Sequence, residues 1–221
     1  MQNYGMQRLT EEVFRRSPPM GLFDDTMVAN LFPDHSIGAR RALVHRAVST
    51  GEVLRLKPGL YCLEARLRSA QPHPFVVAAM LCYPSQVSLE TALSYHGLIP
   101  EAVREVASVT DGRSRSFTTG LGPFTFTRVP CDDLRAGVKV VEVARGAWAF
   151  VATPLRAIAD LVYVRREVSW ARDGLSFLTE SMRIEREDLE ALSLDPFDAI
   201  HSSLRSRRTL RYLEGLGEEL T

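Results

Sequence analysis

The sequence predicts an α+β protein of two domains, and three observations carry this prediction. Residues 36–63 combine an N-capped basic helix with a tight β-hairpin that follows it at once. Two shorter helical segments come first, and three helices followed by a hairpin are the pattern of a winged helix-turn-helix. After residue 103 the apolar period changes to two, and later it returns to that of helices. We therefore expect an N-terminal winged helix-turn-helix domain over 1–68. The remainder, 69–221, is expected to form a C-terminal mixed α/β domain with antiparallel strands and a helical C-terminus.

The first two helices are predicted from apolar spacing and from proline. Residues 6–16 carry apolar side chains at helical intervals, and Pro18-Pro19 stops that helix because proline removes a backbone donor. Residues 20–23 are expected to link it to a second helix over about 25–31. Pro33 closes the second helix, which would brace the third helix across a short turn.

The third helix is expected to begin at Ser36, whose hydroxyl can accept from backbone N–H groups that the first turn leaves free. It ends at Gly51, since glycine adopts a left-handed conformation without steric cost. At about 100° per residue, one side is apolar and is expected to face the core: Ile37, Leu43, Val44, Ala47 and Val48. The other side is basic and carries small residues: Gly38, Arg41, Ala42, His45, Arg46 and Ser49.

A β-hairpin is predicted directly after this helix. Residues 52–57 alternate between apolar and polar side chains, which is the two-residue period of a strand. Pro58-Gly59 suits the centre of a type II turn, because proline presets φ and glycine supplies the positive φ. Residues 60–63 return as the second strand, which places Lys57 at the tip of the hairpin.

Positive charge gathers on this helix and hairpin. Residues 35–68 contain seven basic and two acidic side chains, a net charge of +5 in a chain that is neutral overall. This asymmetry indicates an anionic partner, and the major groove of DNA admits a helix whose arginine can bind guanine. The alternative is an ordinary solvated face.

The predicted contact residues for double-stranded DNA are Ser36, Gly38, Arg40, Arg41, His45, Arg46, Arg55 and Lys57. Arg41 and the helix start at 36–38 are expected nearest the base edges. Phosphates are expected to be bound by Arg40, Arg46, Arg55 and Lys57. A DNA contact and simple solvation are equally open for His45. The duplex would rest against Arg41 and Lys57 together.

The second domain is predicted to open with helices and to continue with strands. Residues 64–73 form a polar link, and Pro74 begins an apolar helix. Ser88 is expected to cap a short helix that ends at Gly97. From about Val103 the two-residue period predicts strands.

The strands are expected to form hairpins. One pairs 106–110 with 114–119 around Asp111-Gly112, and 124–128 continues the meander. Another pairs 138–143 with 147–151 around Arg145-Gly146. A helix begins at Thr153-Pro154, with threonine as the N-cap and proline in the first position. Three further segments read as helical: 172–183, 185–192 and 196–216.

The sequence carries none of the motifs that mark common enzyme classes. It has no HExxH and no His/Cys cluster at zinc spacing, and neither a GxSxG elbow nor a Walker A loop. A nuclease domain would need an ExK motif, and Glu142-Val143-Ala144 lacks the lysine. A nucleotidyltransferase would need a Gly-Ser and a downstream DxD, which are both missing. We therefore expect a non-enzymatic protein without a metal or cofactor.

A cytoplasmic location is expected from the cysteines and from the absence of long apolar runs. Cys62, Cys82 and Cys131 are odd in number and widely separated, which predicts reduced thiols. No apolar run approaches the roughly 18 residues that span a bilayer, and the polar N-terminus is unlike a secretory signal. No membrane partner is expected.

Four segments resemble the AbiEi antitoxin family of type IV toxin–antitoxin and abortive-infection systems. They are GEVLRLKPGLYCL (51–63), VSLETALSYHGLIPE (87–101), ASVTDGRSRSFTTGLGPFTFTRVP (107–130) and FVATPLRAIADLVYVRR (150–166). The resemblance implies a winged-helix domain that binds operator repeats upstream of its own operon. It also implies a C-terminal domain that counters a nucleotidyltransferase-like toxin, in general without a tight complex.

Two other functions remain open, and so does the role of one acidic residue. The basic face could instead dock directly on the toxin, which would make the protein an interaction module. The chain could also be a solitary regulator without a toxin. Asp160 lies in the family's Thr-Pro helix segment, and a surface or capping carboxylate is favoured there over a neutralising role.

Overall fold

The computed structural model describes residues 6–100 and 104–220, and it is a mixed α/β structure. Its helices are α1 (Arg8–Arg16), α2 (Asp25–Leu31), α3 (Ile37–Ser49), α4 (Pro74–Leu81), α5 (Leu89–Tyr95), α6 (Pro154–Val164), α7 (Trp170–Asp173), α8 (Arg186–Glu190), α9 (Phe197–Ser203) and α10 (Arg207–Leu220). Its strands are β1 (Leu22–Asp24), β2 (Val53–Lys57), β3 (Leu60–Leu63), β4 (Gln86–Val87), β5 (Val106–Thr110), β6 (Arg115–Thr119), β7 (Gly122–Arg128), β8 (Val138–Ala144) and β9 (Ala147–Ala152). The predicted change of period at Val103 lies outside the described residues.

The N-terminal part packs α1, α2 and α3 against one face of a small sheet. The three helices and the β2–β3 hairpin lie where the sequence predicts them. The sequence interpretation missed β1, which was expected to be a link and instead pairs antiparallel with β3. The described strands of this sheet have the order β1-β3-β2. The core between helices and sheet consists of Leu9, Val13, Phe23, Val28, Phe32, Leu43, Val44, Ala47, Val53, Tyr61 and Leu63.

The β2–β3 hairpin is a middle layer of the molecule, because both of its faces are covered. Val53, Tyr61 and Leu63 face the N-terminal helices. Leu56, Leu60 and Cys62 belong to a second apolar cluster on the opposite face. Met20 and Leu22 also belong to that cluster, and the C-terminal part contributes its other buried members: Val77, Ala78, Leu81, Cys82, Phe124 and Phe126. A hairpin packed on both faces is held in one position relative to α3.

The C-terminal part is built on a mixed sheet whose described strands have the order β6-β7-β5-β4-β9-β8. The predicted β8–β9 hairpin is confirmed. The predicted hairpin between β5 and β6 is wrong, since β7 lies between them and runs parallel to β5. The connection after β5 crosses the end of β7. There Arg128 N donates to Ser114 Oγ at 2.9 Å, and Arg128 Nε donates to the Asp111 carbonyl at 3.3 Å.

Helix α6 carries a buried ionic network at the centre of the larger core. Thr153 caps the helix as predicted, accepting from Arg156 N. Asp160 is fully buried, so its predicted surface or capping position is wrong. Its carboxylate accepts from Arg156 Nε at 3.0 Å and from Ser88 Oγ at 2.6 Å. The sequence predicts that the Ser88 side chain caps α5. This prediction is wrong, because the hydroxyl donates to Asp160 and makes no capping hydrogen bond.

The Arg156 guanidinium is also fully buried and has further acceptors. It donates to the Ala136 carbonyl at 2.6 Å. Burial disfavours its charge, but the charge and hydrogen bonding of Asp160 and Cys131 together outweigh burial and raise the pKa of Arg156. The pair is thus a structural connection between α6, the start of α5 and the segment before β8.

The C-terminus is helical, as predicted, but the helices are shorter than the sequence pattern indicates. The expected helix over 196–216 is divided into α9 and α10. The break falls at Leu204, which forms a β-bridge with Cys131. The segment expected over 172–183 contains the end of α7 and a π-helical turn at Phe177–Ser181. Within the described residues, every helix is too short or too polar to cross a bilayer.

Candidate nucleic-acid interface

Helix α3 presents the basic side that its sequence predicts. Ser36 Oγ accepts from Ala39 N at 3.2 Å, so the N-cap is confirmed. Leu43, Val44 and Ala47 are buried. The opposite side is exposed: Gly38, Arg41, Ala42, His45, Arg46 and Ser49. The amphipathic pattern therefore places this helix correctly against the core.

Ile37 is the exception to this pattern. The sequence predicts it on the core side, and it is 63% exposed. Ser36 and Gly38 are exposed as well, so three consecutive residues at the start of the helix are accessible to solvent. A methyl-sized branch at Gly38 would meet only Ser36 Oγ, at 3.9 Å. This turn can therefore be approached closely from outside.

A groove of about 660 Å³ separates α3 from the β2–β3 hairpin. Arg41 and His45 line it from the helix, and Arg55 and the Pro58-Gly59 turn line it from the hairpin. The structure thus brings three of the predicted DNA-contact side chains to one concavity.

Two further predicted residues flank this groove. Arg40 is partly buried and lies with Ile37 and Arg41 around a smaller concavity of about 150 Å³. Arg46 lies on another side of α3, with Arg8 and His35 around a depression of about 340 Å³. Positive charge therefore lies on both sides of the exposed face of α3. We call this region the basic surface, and its arginines are Arg40, Arg41, Arg46 and Arg55.

Asp25 also lines the concavities that hold Arg40, Arg41 and Arg55, but its carboxylate accepts from Tyr61. No ion pair is formed in the described part of the chain by Arg40, Arg41, Arg46 or Arg55. The exposed Arg66, by contrast, pairs with Glu64 at 3.2 Å. A rigid surface with an excess of positive charge attracts an anionic partner.

Lys57 does not join this surface, and the prediction that it lies beside Arg41 is wrong. Its ammonium donates to the Met80 and Leu81 carbonyls, each at 2.9 Å, at the end of α4. The cause is a β-bulge, because Arg55 lies opposite Tyr61 while Lys57 lies opposite Leu60. The extra residue turns Lys57 to the Leu60 face, towards the C-terminal part of the molecule.

Burial lowers the pKa of Lys57, although the ammonium still stabilises the negative end of α4. The side chain connects the hairpin to α4. The hairpin's contribution to the basic surface is therefore Arg55.

Sequence reasoning missed two residues that hold the turn in place. Tyr61 Oη donates to Asp25 Oδ1 at 3.1 Å, and Asp25 N donates to the Gly59 carbonyl at 3.2 Å. Gly59 has φ +81°, and a Cβ there would approach Asp25 Oδ2 to 3.1 Å. Burial and the Asp25 hydrogen bond raise the pKa of Tyr61, so the hydroxyl remains a donor. These contacts join residues far apart in sequence, and no local pattern indicates them.

Residues 6–100 and 104–220 hold no group of His, Cys, Asp or Glu side chains placed to bind a metal ion.

Comparison with protein-family models and with curated proteins finds no match for this chain.

Proposed function

We propose that this protein is a DNA-binding regulator in which α1–α3 and the β2–β3 hairpin form a winged helix-turn-helix. One observation carries the proposal: four arginines surround the exposed face of α3, and none forms an ion pair within the described residues. Duplex DNA matches such a surface because it presents a dense row of phosphates beside a groove that admits a helix.

The positions of the side chains suggest their roles on DNA. Arg41 lies beside the exposed first turn of α3, and the N-terminal part of a recognition helix contacts base edges. Arg46 and Arg55 lie on different sides of α3. This arrangement suits the two phosphate strands that border one major groove. Arg40 is assigned to a phosphate near the helix start.

A comparison of operator and random DNA tests the proposal. The operator probe is taken from duplexes tiled across the region upstream of the protein's own coding sequence. Arg41→Ala should reduce the preference for operator over random duplex by about 1–3 kcal/mol, the value of a bidentate arginine–guanine contact. Arg15→Ala is the matched control, since this exposed arginine on α1 pairs with Glu11 and Glu12. Equal preference in wild type and Arg41→Ala would remove Arg41 from base reading.

We also propose the biological role that the AbiEi resemblance implies. The protein would act in the cytoplasm as an antitoxin, repress its own operon at operator repeats and counter a nucleotidyltransferase-like toxin. The arrangement of the four resembling segments supports this. Leu56 and Leu60 of the 51–63 segment pack in one apolar cluster with Phe124 of the 107–130 segment. The 87–101 and 150–166 segments meet at the Ser88–Asp160 hydrogen bond. Segments similar to one family are thus packed together as one structure.

Co-expression with the product of the neighbouring gene tests the antitoxin role. The wild-type chain should restore growth to cells that express this toxin. Arg41→Ala should also restore growth, while it loses repression of an operon reporter. Failure of the wild type to restore growth would leave a solitary regulator. Co-purification with the toxin that survives nuclease treatment would favour the interaction module instead.

A further inference from the structure

Ile37 is an apolar side chain in the middle of the basic surface. It is the first residue of α3 and is 63% exposed. It shares a small concavity with Arg40 and Arg41. Its position one turn before Arg41 places the two on neighbouring parts of the same helix face. An apolar group therefore lies next to the arginine assigned to a base edge.

The edges of the bases in the major groove offer one apolar group, the C5 methyl of thymine. Isoleucine suits this group, since its β-branched side chain is stiff and loses little freedom when it packs. Gly38 follows directly, and the nearest atom to a Cβ position there is Ser36 Oγ at 3.9 Å, which leaves room for close approach. The same turn is the part of a recognition helix that comes nearest the bases.

We infer that Ile37 reads a thymine by packing against its C5 methyl group. This inference rests on the proposed function and adds a specificity-determining residue to it. Arg41 and Ile37 then read adjacent bases, one through hydrogen bonds and the other through shape. The exposed isoleucine is thereby covered when the duplex is bound.

Deoxyuridine gives a direct test, because it differs from thymidine only in the missing methyl group. A duplex is first selected from a random-sequence library with the wild-type protein. Each thymine of that duplex is then replaced in turn by deoxyuridine, and the dissociation constant is measured by fluorescence anisotropy at fixed salt. At one position per bound subunit, the replacement should weaken wild-type binding about fourfold, the value of one buried methylene-sized group.

The Ile37→Ala variant should be insensitive to the same replacement. The affinity of Ile37→Ala for the thymine duplex should be no higher than the affinity of the wild type for the deoxyuridine duplex. Ile37→Val keeps a methyl group in contact and should still discriminate. Val140→Ala is the control, since Val140 is 57% exposed on β8, outside the basic surface, and should change neither value. Thermal unfolding of each variant checks that it folds.

Three outcomes overturn the inference. In the first, Ile37→Ala binds the deoxyuridine duplex with a fold loss in affinity equal to the product of the two separate fold losses. The isoleucine and the methyl group then act independently. In the second, no thymine of the selected duplex is sensitive. In both of these the proposed function stands, because a sequence was selected. In the third, the library gives no enriched sequence, and the inference fails together with the proposed function.

Discussion

Replacing Lys57 separates a structural role from a role on DNA. Lys57→Met keeps about the length of the side chain and its apolar stem. It removes the ammonium that donates to the Met80 and Leu81 carbonyls. A hydrogen bond from a charged donor contributes about 1.5–3 kcal/mol. Part of this is offset, since burial already disfavours the charged form and lowers the pKa of Lys57. We expect a net loss of about 1–2 kcal/mol in the free energy of unfolding.

Chemical denaturation and thermal unfolding measure this loss. For a chain of this size, 1–2 kcal/mol corresponds to a fall in Tm of about 2–8 °C. The salt dependence of DNA binding should stay unchanged, because the ammonium faces α4. Arg55→Met is the matched control on the same strand. It should leave stability within about 0.5 kcal/mol and flatten the salt slope by about one unit. A Lys57→Met variant with wild-type stability and a flatter slope would refute this assignment.

Three further changes test how the rest of the structure is held. Asp160→Asn leaves the buried Arg156 without its counter-charge and should cost about 3–5 kcal/mol in a denaturant titration; a loss below 1 kcal/mol would contradict the network. His73 Nδ1 accepts a backbone N–H at the start of α4, and burial lowers the pKa of His73. Stability should therefore fall as the pH drops below about 6.5, and His73→Asn, which keeps an acceptor, should abolish that part of the pH dependence. Gly215→Ala should destabilise the protein by about 1–3 kcal/mol, because its Cβ would overlap the Trp170 ring; unchanged Tm would contradict this packing.

Local signals predict the basic helix and the hairpin because the forces that form them are local. The cap at Ser36, the apolar spacing along α3 and the Pro58-Gly59 turn each depend on neighbouring residues. The structure places all three as the sequence indicates, except that Ile37 on the predicted apolar side is exposed. The same holds for the Thr153 cap of α6.

The errors have a common origin in contacts between distant residues. A single bulge turns Lys57 to the opposite face of its strand, and strict alternation does not reveal a bulge. Asp160 looks like an exposed helical carboxylate until Ser88, 72 positions earlier in the chain, is brought to it. The insertion of β7 beside β5 is likewise a matter of topology. Sequence spacing alone therefore predicts which side chains share a helix face, and leaves strand order and buried polar pairs undetermined.

The salt dependence of binding tests most directly whether the surface around α3 holds a duplex. The variant combines Arg40→Gln, Arg46→Gln and Arg55→Gln, which remove three charges and keep polar side chains. We expect the slope of log affinity against log salt to become shallower by about three units, close to 0.9 for each lost phosphate contact. Arg15→Gln should leave the slope unchanged. A triple variant with the wild-type slope would contradict the account, because DNA would then be bound elsewhere on the molecule.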